Sequence, residues 1–129
     1  QMSIKLIVWV AAGGAMGAVA RYLSMSAVGH WFGHGFPWGT IVVNVVGSFV
    51  LGALVETFAL VWSPSDAVRT MLVVGVLGSF TTFSTFSLDI QTLIARGSFM
   101  AAGGYVAGSV VAGIMAFMAG MAIFRLIWS

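Results

Sequence analysis

Four long apolar runs, separated by three short breaks, take up almost all of this 129-residue chain. A helix needs about 20 mostly apolar residues to cross the hydrocarbon core of a bilayer. The runs extend from about Ile4 to His30, Trp38 to Val61, Ala67 to Ala95 and Phe99 to Trp128, and each is long enough. The breaks carry turn chemistry: Gly33-His34-Gly35-Phe36-Pro37, Ser63-Pro64-Ser65-Asp66 and Arg96-Gly97-Ser98. Connections this short make consecutive helices antiparallel neighbours. In the second break, Ser63 is expected to cap a helix with Pro64 at its first position and Asp66 favoured by the dipole. The expected architecture is therefore an all-α integral membrane protein, residues 1–129 forming a single transmembrane domain of four helices. Gln1 precedes Met2 and reads as an addition ahead of the natural start.

The charge count agrees. Only 6% of the residues are charged and 60% are hydrophobic, whereas a soluble domain carries about a quarter charged residues. That excludes an ordinary soluble enzyme, a disordered tail and a nucleic-acid binder with its basic patch. The pI near 9.7 rests on a net charge of only +2. The absence of Cys excludes disulfides and thiolate chemistry. Lys5, the apolar run after it and Ala18-Val19-Ala20 imitate a signal peptide with a small-residue cleavage site. Cleavage would leave three spans starting at Arg21, so a retained first span is the better reading.

With four spans, Lys5, Arg69 and Arg125 lie towards one side of the membrane, and Arg21 and Arg96 towards the other. Orientation follows the Lys/Arg bias, and three against two is almost none. Such a chain can insert both ways and pair as an antiparallel dimer, analogous to inverted repeats.

Polar residues inside the spans are few and patterned. Thr40, Asn44, Ser48, Gly52 and Glu56 recur every four residues, forming one stripe along the second helix. Such a stripe must face protein or a water-filled path. For Thr40 and Ser48, helix–helix glue competes evenly with a pathway role; for Asn44, whose amide needs more partners, the pathway is favoured. In the fourth span Gly104, Gly108, Ala112, Ala116 and Gly120 form a small-residue packing face. Tyr105 and Ser109 put two hydroxyls on a different row, either bonded within the bundle or lining a pore. Arg21, one turn after Gly13 and Gly17, is an intramembrane cation or a snorkelling one. Glu56, Arg69, Asp89 and Arg96 lie nearer span ends and read as interfacial. The five Trp fall near span ends too, as an aromatic belt would. His30 and His34 have no third ligand nearby and read as loop residues.

The third span holds the unusual segment, Gly78-Ser79-Phe80-Thr81-Thr82-Phe83-Ser84-Thr85-Phe86-Ser87. Its hydroxyls compete with backbone hydrogen bonds, and its Gly weakens the helix. A break there would expose carbonyls suited to small cations and N–H groups suited to anions. Phe80, Phe83 and Phe86 recur every three residues, and their positive ring edges would favour an anion. No paired carboxylates, Ser/His/Asp order or phosphate loop point to an enzyme.

Three blocks carry a family resemblance: Gly13-Gly14-Ala15-Met16-Gly17-Ala18-Val19-Ala20-Arg21-Tyr22, Gly39-Thr40-Ile41-Val42-Val43-Asn44-Val45-Val46-Gly47-Ser48-Phe49, and Gly75-Val76-Leu77-Gly78-Ser79-Phe80-Thr81-Thr82-Phe83-Ser84-Thr85-Phe86. In this order they resemble the Fluc (CrcB) small fluoride channels of microorganisms. Ser79 stands where Gly is more frequent, and Asp89 where Glu is. The resemblance implies a multi-pass protein of the inner cell membrane, working as an antiparallel, dual-topology homodimer with no other protein partner. It implies a third helix broken near its middle and two pores that let cytoplasmic fluoride leak out, lowering its toxicity. Phe83 and Phe86 would offer ring edges to fluoride and Asn44 a donor. Thr40, Tyr105, Ser109, Thr82 and Thr85 would belong to the same path, with Arg21 near a mouth. A structural sodium ion would be held at the dimer centre by the backbone carbonyls of Gly78 and Thr81. A small proton-coupled multidrug exporter is the rival transport reading; it needs a membrane-embedded carboxylate. A non-transporting scaffold is a third, and gives Phe83 and Phe86 no function.

Overall fold

The computed structural model describes residues 3–129; Gln1 and Met2, and with them the reading of Gln1 as an addition, lie outside it. Helix α1 spans Ile4–Phe32 and α2 Trp38–Leu60. The third crossing is composite: α3 (Asp66–Thr70), a π-helical stretch (Met71–Leu77), one short turn α4 (Gly78–Phe80), a break at 81–83, and α5 (Ser84–Ala95). Helix α6 spans Phe99–Trp128. Four helical stretches, Ile4–Phe32, Trp38–Leu60, Asp66–Ala95 and Phe99–Trp128, are long and apolar enough to cross a membrane.

Local chemistry sets the ends. Ser3 caps α1 through its hydroxyl, which accepts from Leu6 N–H at 3.1 Å. Gly33 and Gly97 end α1 and α5 at φ 76°, a region that favours glycine. The start of the third span differs from the sequence expectation. Ser65, not Ser63, is the cap, accepting from Val68 N–H at 3.3 Å, with Asp66 as first helical residue. Pro64 therefore stands before the cap, where its missing N–H costs nothing.

Glycine-mediated backbone contacts assemble the bundle. On α1, a Cβ at Gly13 or Gly17 would strike the π-helical backbone at Met71 and Val76, and one at Gly75 would strike Val10. The π-helical turn, in which Gly78 N–H reaches back five residues to Val73, lies in this close contact. Nothing in the apolar pattern announces it. Helix α1 runs unbroken through Ala18-Val19-Ala20, and its glycines hold the third span in place. Helices α2 and α6 meet likewise through Gly52 against Phe117 and Gly120 against Phe49. The rest of the expected small-residue face behaves differently: Gly104 and Gly108 meet no other side chain within this chain.

The two ends of the bundle are tied separately. Arg96 donates to the Gly35 carbonyl at 2.7 Å, joining the first and third breaks. At the other end Arg125 pairs with Glu56 at 2.8 Å, and Trp128 donates to Thr57 Oγ1 at 2.9 Å. All five Trp are exposed, with many large apolar side chains such as Trp31, Met100 and Leu126. Such a surface suits lipid and not water. Gly17→Val should therefore lose about 1–3 kcal/mol by overpacking against Val76, while Gly35→Ala, with open space around it, should be near neutral. Thermal unfolding of the purified protein in detergent checks both.

Candidate functional site

The break in the third span organises the site. Thr81 is extended (φ −84°, ψ 160°), so the helix stops after Phe80 and restarts at Ser84. In a continuous helix, Thr82 N–H would donate to the Gly78 carbonyl and Thr85 N–H to the Thr81 carbonyl. Instead, Thr82 N–H donates to Asn44 Oδ1 at 2.8 Å, and Thr85 N–H to Thr82 Oγ1 at 3.1 Å. The carbonyls of Gly78 and Thr81 are thereby released from their helical donors. The Thr81 hydroxyl doubles back to the Leu77 carbonyl at 2.9 Å. Asn44 Nδ2 completes the clamp by donating to the Thr82 carbonyl at 3.0 Å, which leaves its second hydrogen uncommitted. Gly47, one turn further along α2, has no Cβ to collide with the Thr81 methyl.

Beside the break lies a cleft of about 420 Å³. Its polar lining is Asn44, Ser48, Thr81, Thr82 and Ser109, and its aromatic lining Phe83 and Phe86. A second hollow of about 410 Å³ shares Asn44, Ser48 and Ser109 and continues along α6 to Phe117. The Ser109 hydroxyl is buried without a protein partner. Buried hydroxyls are normally paired, so this one is free for whatever enters. Phe83 is 76% exposed. The rings form a tilted series, Phe83 to Phe86 at 5.7 Å and Phe86 to Tyr105 at 5.1 Å between centroids.

Towards the end holding the first and third breaks, Asp89 Oδ2 accepts from Thr40 Oγ1 at 2.6 Å and from Tyr105 Oη at 2.8 Å. Thr40 and Tyr105 are each 1% exposed. Asp89, which its place along the span reads as interfacial, is half-buried and bonded to side chains of α2 and α6. Only hydroxyls arriving from two other helices reveal its environment, and no local pattern carries that. Glu56, also near a span end, is paired across the bundle. It is 5% exposed, accepting from Arg125.

The expected residues thus divide into groups. Asn44, Thr82, Phe83, Phe86 and Ser109 meet at the cleft, with Ser48 as a further member and with Gly78 and Thr81 beside them. Thr40 and Tyr105 form the adjoining cluster on Asp89. Tyr105 bonds within the bundle while Ser109 faces the cleft, so the two hydroxyls of one row have different surroundings. Thr85 contributes its N–H to the Thr82 cap, and Arg21, half-exposed on α1, is not in the cleft lining. Among the described residues, no cluster of three or more His, Cys, Asp or Glu is placed to hold a metal ion.

Thr40→Val and Tyr105→Phe should each cost about 1.5–3 kcal/mol, the value of one hydrogen bond to a charged group. Because both bonds end on one oxygen, the double variant should deviate from additivity by at least about 0.5 kcal/mol. Denaturant titration of the four proteins completes the cycle.

Comparison with known proteins identifies the family. The model of the CrcB-like family, described as Camphor Resistance (CrcB), matches residues 8–121. The fluoride-specific ion channel FluC of Rhodospirillum centenum is 51% identical over 122 residues, covering 95% of this chain and 97% of that protein. That of Nitrobacter winogradskyi is 50% identical, covering 98% of this chain and all of its own length. That of Magnetococcus marinus is 46% identical, covering 94% and 98%. With a family match over nearly its whole length, and relatives named as ion channels and not enzymes, this chain belongs to the CrcB family.

Proposed function

We propose that this chain is the subunit of a passive, fluoride-selective channel that lets cytoplasmic fluoride escape across the inner cell membrane. The observation that carries this reading is the cleft, where amide, hydroxyl and aromatic rings converge and no charged side chain enters. Its agreement with relatives named as fluoride channels gives the ion. Fluoride is small and accepts hydrogen bonds strongly. The uncommitted hydrogen of Asn44 and the hydroxyls of Ser48, Thr82 and Ser109 can replace part of its hydration. Ring edges of Phe83 and Phe86 add positive electrostatic potential. Several weak sites in series let the ion leave again. Thr40 and Tyr105 continue the polar surface towards one end, with Thr85 in support, and Arg21 belongs near a mouth.

The working unit is an antiparallel homodimer. The salt bridge to Glu56 compensates Arg125, leaving Lys5 and Arg69 on one side against Arg21 and Arg96 on the other. Gly104 and Gly108, bare in the single chain, suit close approach of a second copy. A structural sodium ion fits the break, since the Gly78 and Thr81 carbonyls are neutral oxygens freed from their helical donors. Two carbonyls are too few for a closed shell, and the same pair from a second copy would supply the rest. A proton-coupled exporter would need a carboxylate open to its substrate path, whereas Glu56 is engaged by Arg125, Asp89 by two hydroxyls, and neither lines the cleft.

Purified protein in liposomes should release fluoride rapidly with no proton gradient, as read by a fluoride electrode; no release would sink the channel reading. Phe83→Ile or Phe86→Ile should slow efflux about tenfold, the effect of ~1.4 kcal/mol of lost ring-edge stabilisation, with the dimer intact on size exclusion. Replacing sodium by a large organic cation should lower the melting temperature of the dimer, and an unchanged melt would count against the sodium site.

A further inference from the structure

We infer that Asn44 is a positioning residue for the break in the third span: its Oδ1 holds the Thr82 N–H away from the Gly78 carbonyl and so keeps the helix open. Thr82 is buried, and a buried N–H must find an acceptor. Without Asn44, the α-helical acceptor is the Gly78 carbonyl, four residues back. Helical hydrogen bonding already reaches Thr81, whose N–H and hydroxyl both donate to the Leu77 carbonyl. Between that point and continuity stands the extended ψ of Thr81. Asn44 secures it by gripping both backbone groups of Thr82, donor and acceptor, as a neighbouring strand would.

A second feature of α2 serves the same end. Gly47 opens the space that the Thr81 methyl fills, so one helix face carries both the clamp and the clearance for the break. Substitution at 44 therefore acts twice, removing a donor from the cleft and returning an N–H to the helix. The consequence for conduction rests on the proposed fluoride path. The backbone consequence stands apart from it.

The chain has no Cys, so spin labels can be introduced at Val74→Cys and Leu88→Cys, two exposed positions flanking the break. Labelled chain is diluted with unlabelled chain, so that distances within one chain are read. Fourteen residues of unbroken helix span about 21 Å along the axis. The distribution in the Asn44→Ala background should shift towards that spacing. Asn44→Asp keeps an acceptor for Thr82 N–H and should retain the distribution of the Asn44 protein. An unchanged distribution in Asn44→Ala overturns the inference. Should Asn44→Ala fail to assemble, assembly of Asn44→Asp with the original distance supports it, and failure or a shifted distance in Asn44→Asp overturns it. Fluoride efflux from the Asn44 protein, run in parallel, tests the channel reading separately: its absence sinks that reading and leaves the distance result standing.

Discussion

A backbone polar group cannot be left unpaired in hydrocarbon, and this structure is arranged around one place where helical hydrogen bonds are replaced by side-chain ones. Non-helical backbone at membrane depth survives only when protein or a polar cavity receives its polar groups. At Thr81–Phe83 the Asn44 amide takes both backbone groups of Thr82, and the Thr82 hydroxyl takes the N–H of Thr85. The residues around follow from that repair. Gly47 admits the Thr81 methyl, Gly13 and Gly17 press α1 onto the π-helical turn before the break, and the cleft opens where the helix has parted.

The few charges are placed with similar economy. Glu56 is matched by Arg125, and Arg96 is spent on a loop carbonyl. Asp89 meets hydroxyls instead of a cation. In low dielectric a carboxylate without partners is costly, and two hydroxyl donors on one oxygen hold it without building a cation site. The cleft itself contains no formal charge. Its polarity comes from amide, hydroxyl and backbone dipoles.

Much of the site was written in the sequence. The four-residue spacing from Thr40 to Glu56 put Asn44, Ser48 and their neighbours on one stripe, and every member meets the cleft, a polar partner or a helix backbone. Gly78 to Ser87 announced a weak helix through its hydroxyls. What spacing along one helix cannot supply is the partner on another. The partners of Asp89 are invisible along its own helix because its hydroxyl donors lie 49 positions earlier and 16 later. Tyr105 and Ser109 share a row, yet one is bonded and the other free, because Asp89 lies within reach of only the first.

The sequence by itself determined the solvent of this protein, its four crossings and the segment where the third would yield, since all three depend on local hydropathy and backbone propensity. Tertiary structure alone decided which residues the break falls between, that a π-helical turn precedes it, and that Asn44 is shared between backbone and cleft. A break is a contest among acceptors for the same N–H groups, and the winning acceptor came from another helix, 38 residues away.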